Sequence, residues 1–274
     1  MEQPESIIPS PTAELIPAQE FNITAVIDKF LENQQIRTNS KSLYRIMLNR
    51  YFKWIDSNHL LLKSIQFKDL LNFRDHLINE SGLGMSTVGT CIVVLRSFYS
   101  FLDDQGIYDD IAKGLKPPKT KKGFKKLGLT KEQSIDLLEW SMKNQCKRDF
   151  AIINVLLFTG ARLIEVVRAN VEDITQRFGE RVFIVQGKGR DAKDNFIVMI
   201  DDCFKQVNAY LEERCVYKPS DPLFVSCSNI NRGGRLTTRS LEYIVRAGLD
   251  GINITGREYS AHSLRHTCGQ SILA

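Results

Sequence analysis

Residues 148–174 read RDFAIINVLLFTGARLIEVVRANVEDI, and the reading of this stretch decides the fold. From Phe150 to about Phe158 nearly every residue is apolar, which describes a helix buried on all sides rather than one with a wet face. Thr159-Gly160 then interrupts it, and a glycine there permits a sharp change of direction. A helical pattern resumes over 163–169. Arg162 starts that second helix, so its guanidinium projects from a helix–helix junction, where it can grip one phosphate with two parallel hydrogen bonds. Glu165, three residues on and on the same face, can hold the guanidinium in place. Taken alone, the pattern also fits an ordinary surface helix with a local ion pair.

C-terminal to this stretch, Val182–Gln186 and Asn195–Ile200 are β-rich runs joined by a glycine- and charge-rich turn, which predicts a hairpin. At its tip lies Gln186-Gly-Lys188-Gly-Arg190. The flanking glycines let the backbone approach a ligand, and the lysine can reach a DNA groove or protonate an oxygen. An exposed turn lysine is the commoner meaning. Helices return at about 202–215, about 237–249 and from about His262. His262-Ser-Leu-Arg265-His266-Thr267 sets a titratable imidazole and a fixed cation three residues apart on one helical face. His266 reads as structural, hydrogen-bonded within the core.

Towards the N-terminus the pattern is helical from Phe21. Ile23, Val26, Ile27, Phe30 and Leu31 form one stripe, and Leu43, Ile46, Met47, Tyr51, Trp54 and Ile55 form a second. A third helix carries Phe67, Leu70, Leu71, Leu77 and Ile78. A fourth begins near Ser86-Thr87, good capping residues, and runs through Val88, Ile92, Leu95, Phe98, Tyr99 and Leu102. Four such helices predict an all-α domain over 21–112. Residues 1–20, with Pro4, Pro9, Pro11 and Pro17, read as a disordered tail. Residues 113–126 read as an unburied linker. They hold Lys113, Lys116, Lys119, Lys121, Lys122, Lys125 and Lys126 with no acidic residue, so the linker attracts phosphate. Thr130-x-x-Gln133 reads as a capping box opening a second, mixed domain over 127–274, mainly α with a small β-sheet.

Composition sets the outer bounds. The 274 residues are 43% hydrophobic and 25% charged, with a net charge of +5, ordinary for a globular protein with a mild basic excess. The six cysteines include no CxxC pair and none beside a histidine at metal-ligand spacing, so no metal site is expected and the thiols read as free in a reducing cytoplasm. No apolar run is expected to span a membrane, and the proline-rich start is no secretory signal.

The order Arg162, Lys188, His262, Arg265 resembles the catalytic set of the tyrosine recombinases of the phage-integrase family. The TGxRxxE box and HxLRHT carry the likeness, together with the whole of 148–174 and the run from Ser86-Thr87 through Leu95–Leu102 to Pro117-Pro118-Lys119. Arg96, inside that run, joins the linker lysines as a DNA-contact candidate. The resemblance spans about 21–274 and is closest to the simple, Xer-like form, with no arm-binding domain ahead of the helical, SAM-like core-binding domain. It implies two domains clamping duplex DNA like a C, a dimer per site and a tetramer in synapse. A tyrosine attacks the scissile phosphate, a 3′-phosphotyrosyl bond forms, and strands exchange through a Holliday junction. No ATP, metal or other cofactor is implied. Arg162 and Arg265 would neutralise the phosphorane, Lys188 would protonate the leaving 5′-oxygen, and His262 would assist proton transfer at the nucleophile. Integration, excision, resolution and transposition all fit, acting on DNA in the bacterial cytoplasm. Only nine residues follow Arg265, so the family's later phosphate-contacting His or Trp and its tyrosine are expected beyond this chain, which would then bind DNA without cutting it. Tyr259 precedes the histidine box and reads as packing. The alternative is a non-catalytic DNA-binding regulator derived from a recombinase.

Overall fold

The N-terminal unit is built from four helices, α1 (Ile23–Asn33), α2 (Thr38–Ser57), α3 (Phe67–Asn79) and α4 (Met85–Asp104). They belong to a computed structural model that describes residues 22–119, 127–187 and 192–273. The chain divides into two units, Met1–Lys122 and Gly123–Ala274. Asn22 caps α1, its side chain accepting from the Ala25 amide at 3.1 Å. α4 is the spine of the unit and buries nine residues, among them Ile92, Leu95 and Phe98, against Phe30, Tyr51 and Phe73. One polar pair sits in this apolar core, the hydroxyls of Tyr51 and Tyr99 at 2.7 Å.

Several expectations need correction here. The fourth helix starts at Met85 after Gly84, so Ser86 and Thr87 lie inside its first turn rather than capping it. Leu43 and Ile46 are 40% and 56% exposed, because the α2 stripe packed on the core is carried by Met47, Leu48, Tyr51 and Ile55. By length and composition α4 could cross a membrane, contrary to the sequence expectation, yet half of that window is buried as core helix. The lysine-rich stretch is not wholly unburied either. Leu115 is fully buried in this core, flanked by exposed Lys113 and Lys116. The proposed tail and Lys121, Lys122, Lys125 and Lys126 lie outside the described residues.

The second unit is arranged around α6 (Lys147–Thr159), which packs against α5 (Lys131–Asn144), α8 (Asp201–Arg214), α9 (Thr238–Gly251) and α10 (Ala261–Leu273). Its apolar sequence is explained by that surround, since Ala151 to Leu157 are all buried. The Thr130 capping box forms, with the Thr130 hydroxyl accepting from the Gln133 amide at 3.2 Å and Gln133 accepting from the Thr130 amide at 2.9 Å. A short helix α7 (Leu163–Arg168) follows α6. The expected hairpin is part of a three-stranded antiparallel sheet, β1 (Ile174–Arg177), β2 (Glu180–Val185) and β3 (Asn195–Val198), in that order. Ile174 and Ile197 flank Phe183 in the register, and Phe183 is fully buried. The β1 strand was not expected, because Ile174 is its one apolar residue and the strand is mostly exposed.

Candidate active site

The junction between α6 and α7 builds the first half of the site. The Thr159 hydroxyl donates to the Val155 carbonyl at 2.5 Å and accepts from the Ala161 amide at 3.2 Å, closing the end of α6. Gly160 then turns the chain in the left-handed region (φ +59°), and a Cβ there would lie 3.2 Å from both Cβ and Sγ of Cys268 on α10. Glycine is required twice over, by backbone conformation and by the close approach of α10. Arg162 caps α7. Its backbone amide and its Nη1 each lie 2.7 Å from the two carboxylate oxygens of Glu165. Glu165 is only 3% exposed while the Arg162 side chain is 40% exposed, so a buried carboxylate holds a partly exposed guanidinium that has further donors to offer.

α10 supplies the second half. The Ser263 hydroxyl accepts from the Ser260 amide at 3.1 Å at the start of the helix, and the Thr267 hydroxyl accepts from the Leu129 amide at 2.7 Å. Thus clamped, α10 brings Arg265 to the α6–α7 junction, where its Nη1 donates to the carbonyl of Gly160, two residues from Arg162. Arg265 thus reaches the glycine that lies two residues before Arg162 in the chain. Burial raises the pKa of the neighbouring Cys268 thiol, and the Arg265 guanidinium pulls it partway back.

His262 lies one turn before Arg265 and is exposed. His266 is exposed too, not in the core as expected. It stands edge-on to His262 with ring centroids 5.3 Å apart, because residues four apart share a helical face. Lys188 lies outside the described residues.

A cavity of about 620 Å³ opens beside His262, with Leu163, Tyr259, Arg239, Tyr243 and Arg246 among its lining. The last three recur along one face of α9, and their spacing of four and three residues was the signal that sequence reading passed over. Arg239 donates to the Tyr243 hydroxyl at 3.1 Å. Arg246 donates to Asp250 at 2.9 Å and to the Ile254 carbonyl, fixing the segment that leads into α10. Tyr259 packs against the core of the unit and lines the cavity as well. Among the described residues no cluster of metal-ligating side chains is found. In the N-terminal unit Arg96 is exposed on α4, and Lys113, Lys116 and Lys119 are exposed beyond it.

A mainly helical unit with a small antiparallel sheet is the fold of the tyrosine recombinase catalytic domains. The chain belongs to the phage integrase family, which it matches over residues 128–274. It is 31% identical over 211 residues to the tyrosine recombinase XerC of Caldanaerobacter subterraneus subsp. tengcongensis, a match covering 76% of this chain and 57% of that protein. Its fold is similar to XerH site-specific recombinase bound to its difH substrate, with a TM-score of 0.67 and 21% identity over 91% of this chain and 74% of that one. It is also similar to a lambda integrase tetramer bound to a Holliday junction, with a TM-score of 0.65 and 13% identity over 90% of this chain and 71% of that one.

Proposed function

We propose that the chain binds duplex DNA at a specific site and contributes Arg162, Lys188, His262 and Arg265 to cutting and rejoining it through a 3′-phosphotyrosyl intermediate. The observation that supports this reading is the Arg265 bond to the Gly160 carbonyl, two residues before Arg162. A phosphorane carries two negative charges, and fixed guanidiniums that need no reorganisation stabilise it more than they stabilise the ground state. Lys188 serves as general acid for the leaving 5′-oxygen, and His262 assists proton transfer on the nucleophile side. The exposed lysines 113, 116 and 119, with Lys121, Lys122, Lys125, Lys126 and Arg96, hold the phosphate backbone. Two protomers occupy a site and four form the synapse. Relatives named for DNA substrates and a Holliday junction support this assembly.

Residues 1–274 place no tyrosine as the nucleophile on this reading. Tyr243 and Tyr259 reach the cavity beside His262, but the Tyr243 hydroxyl accepts from Arg239 and Tyr259 packs on the core. The chain therefore binds DNA and leaves no covalent adduct on a nicked suicide substrate. A protein band carrying DNA on a denaturing gel refutes that statement, and mapping the modified residue would distinguish Tyr243 from Tyr259. In a protein supplied with the family's tyrosine helix, Arg162→Ala or Arg265→Ala lowers covalent attachment about a hundredfold or more with DNA binding largely kept. Near-normal cleavage by either variant removes the active-site assignment. Lys188→Ala is rescued by a substrate with sulfur as the leaving 5′ atom; equal defects on both substrates remove Lys188 from the acid role.

A further inference from the structure

The N-terminal unit carries a groove of about 370 Å³, lined by Tyr44 of α2, by Gly89, Val93 and Val94 of α4, and by Pro117 and Pro118. No charged side chain lines it among the described residues, and Val93 is 49% exposed. A Cβ on Gly89 would stand 3.8 Å from the Pro117 Cβ, so bare backbone at Gly89 keeps the floor of the groove open. Its rim is basic. Exposed Lys116 and Lys119 bracket the two prolines, and exposed Arg96 shares the α4 face of Gly89 and Val93, seven and three residues away.

The residues ahead of the Asn22 cap have the complementary chemistry. They carry Glu2, Glu5, Glu14 and Glu20 with no aspartate, lysine, arginine or histidine, in a chain whose net charge is +5. They also repeat one short pattern. Ile7-Ile8-Pro9 follows Glu5, and Leu15-Ile16-Pro17 follows Glu14. An aliphatic pair joined to a proline is biased towards the extended form that fits an apolar groove with an aromatic wall. The distance can be covered. Tyr44 stacks on Phe30 with ring centroids 6.3 Å apart, and Phe30 lies about two turns, roughly 10 Å, from the start of α1. The link from Pro17 to Asn22 spans up to about 16 Å.

We propose that Leu15-Ile16-Pro17 seats in this groove of its own chain, with Glu14 and Glu20 against the rim of Lys116, Lys119 and Arg96, and so competes with DNA phosphate for those cations. The competition rests on the DNA-binding reading above; the docking does not. Tethering decides the occupant. On so short a link the effective concentration is on the order of millimolar, far above that of a second copy or a separate partner. A groove with an affinity of only about 0.1–0.25 mM is then about 80–90% filled. DNA phosphate has to displace the segment, which lowers the apparent affinity for a duplex about five- to tenfold.

Docking is read on the full chain without DNA. A photoreactive benzoylphenylalanine replaces Ala18, beside the seated proline, and the irradiated chain is digested and mapped. Adducts fall in peptides holding Tyr44, Val93 or Pro117 and run as monomer on a denaturing gel. Val93→Asp abolishes them, and so does Leu15→Ser with Ile16→Ser. Adducts elsewhere, adducts only between chains, or adducts that survive both variants overturn the docking. Competition is read by titrating a duplex at low salt. Leu15→Ser with Ile16→Ser binds about five- to tenfold tighter than the wild type. Changing Glu2, Glu5, Glu14 and Glu20 to glutamine also tightens binding, and that gain fades as salt rises. Adding Val93→Asp to the Leu15→Ser, Ile16→Ser chain gives no further gain, since both remove one contact. Unchanged duplex affinity in both tail variants overturns the competition. A wild type that binds no duplex overturns the DNA-binding reading, and the cross-link then decides the docking by itself.

Discussion

The two units of the chain use arginine differently. In the N-terminal unit, Arg45 pairs with Asp28 and Arg74 with Asp75 at the surface. In the second unit, Arg148, Arg214, Arg235, Arg246 and Arg265 all donate to main-chain carbonyls. The difference follows from what each unit must hold. Four helices joined by short turns satisfy their own backbone, and an apolar core suffices to pack them. The second unit carries irregular segments at 160–162, 169–170, 222–236 and 252–260, outside its helices and its three-stranded sheet. A guanidinium has five donors in a fixed plane, so one side chain can close several carbonyls and set the loop's shape. The unit that holds the candidate site is therefore the one in which positive charge is built into the framework.

The largest expected effect tests that contrast directly. Arg235→Met removes three hydrogen bonds, to the Val167 and Ala169 carbonyls and the Asn170 side chain, and should cost about 3 kcal/mol, read as a lower urea midpoint for the second unit. If Arg45→Met in the N-terminal unit costs as much, the contrast is wrong. Glu165→Ala comes next, at about 2 kcal/mol, because the lost carboxylate is buried and holds both the amide and the guanidinium of Arg162. The loss stays below that of a fully buried pair, since the Arg162 side chain is 40% exposed and water can take up its charge. Gly160→Ala should cost about 1–2 kcal/mol for its left-handed backbone alone, before the approach of Cys268 is counted. A thermal midpoint matching the wild type would show that α10 is not seated on this glycine.

How much of this was legible in the sequence differs between the units for the same reason. The helices of the N-terminal unit declare themselves through apolar spacing, though Leu43 and Ile46 lie at the surface, Ser86 and Thr87 do not cap α4, and Leu115 is buried. In the second unit α6, the Thr130 cap and the β2–β3 pair were equally visible. The Arg162–Glu165 contact was readable because both partners are side chains three residues apart. Arg235 and Arg148 were not, since a main-chain carbonyl is identical at every residue and leaves no mark on the partner's sequence position. β1 escaped because its residues are mostly wet, and His266 because i, i+4 spacing was weighed for helix cores but not for the exposed histidine face.

Smaller effects sharpen the picture of the N-terminal unit. Tyr51→Phe leaves the Tyr99 hydroxyl buried without its partner and should cost about 1 kcal/mol, whereas the double change to phenylalanine should recover most of that loss. Burial pushes both phenols well above their ordinary pKa, so each must stay neutral in the folded state. With raised folded-state values, their contribution is complete below pH about 10, where the unfolded phenols begin to ionise, and is lost as pH rises further. Alkaline unfolding followed by fluorescence should therefore be less steep in the double variant. An equally steep decline in both would assign it to other groups.

The smallest effect concerns the surface pair that stands for the N-terminal unit in the comparison. Arg45 and Asp28 approach to 2.6 Å, close enough for a strong hydrogen bond, yet their side chains are 43% and 47% exposed. Water screens the attraction, and fixing two side chains in one geometry costs rotamer entropy, so the pair should contribute under about 0.5 kcal/mol. Asp28→Ala should then lower the thermal midpoint of this unit by no more than about 3 °C. The same variant measured in 1 M salt should match the wild type, because the screening length there falls to about 3 Å. A larger loss that salt abolishes would mean that charge holds this unit together too, and the division between an apolar helical unit and an arginine-braced one would have to be given up.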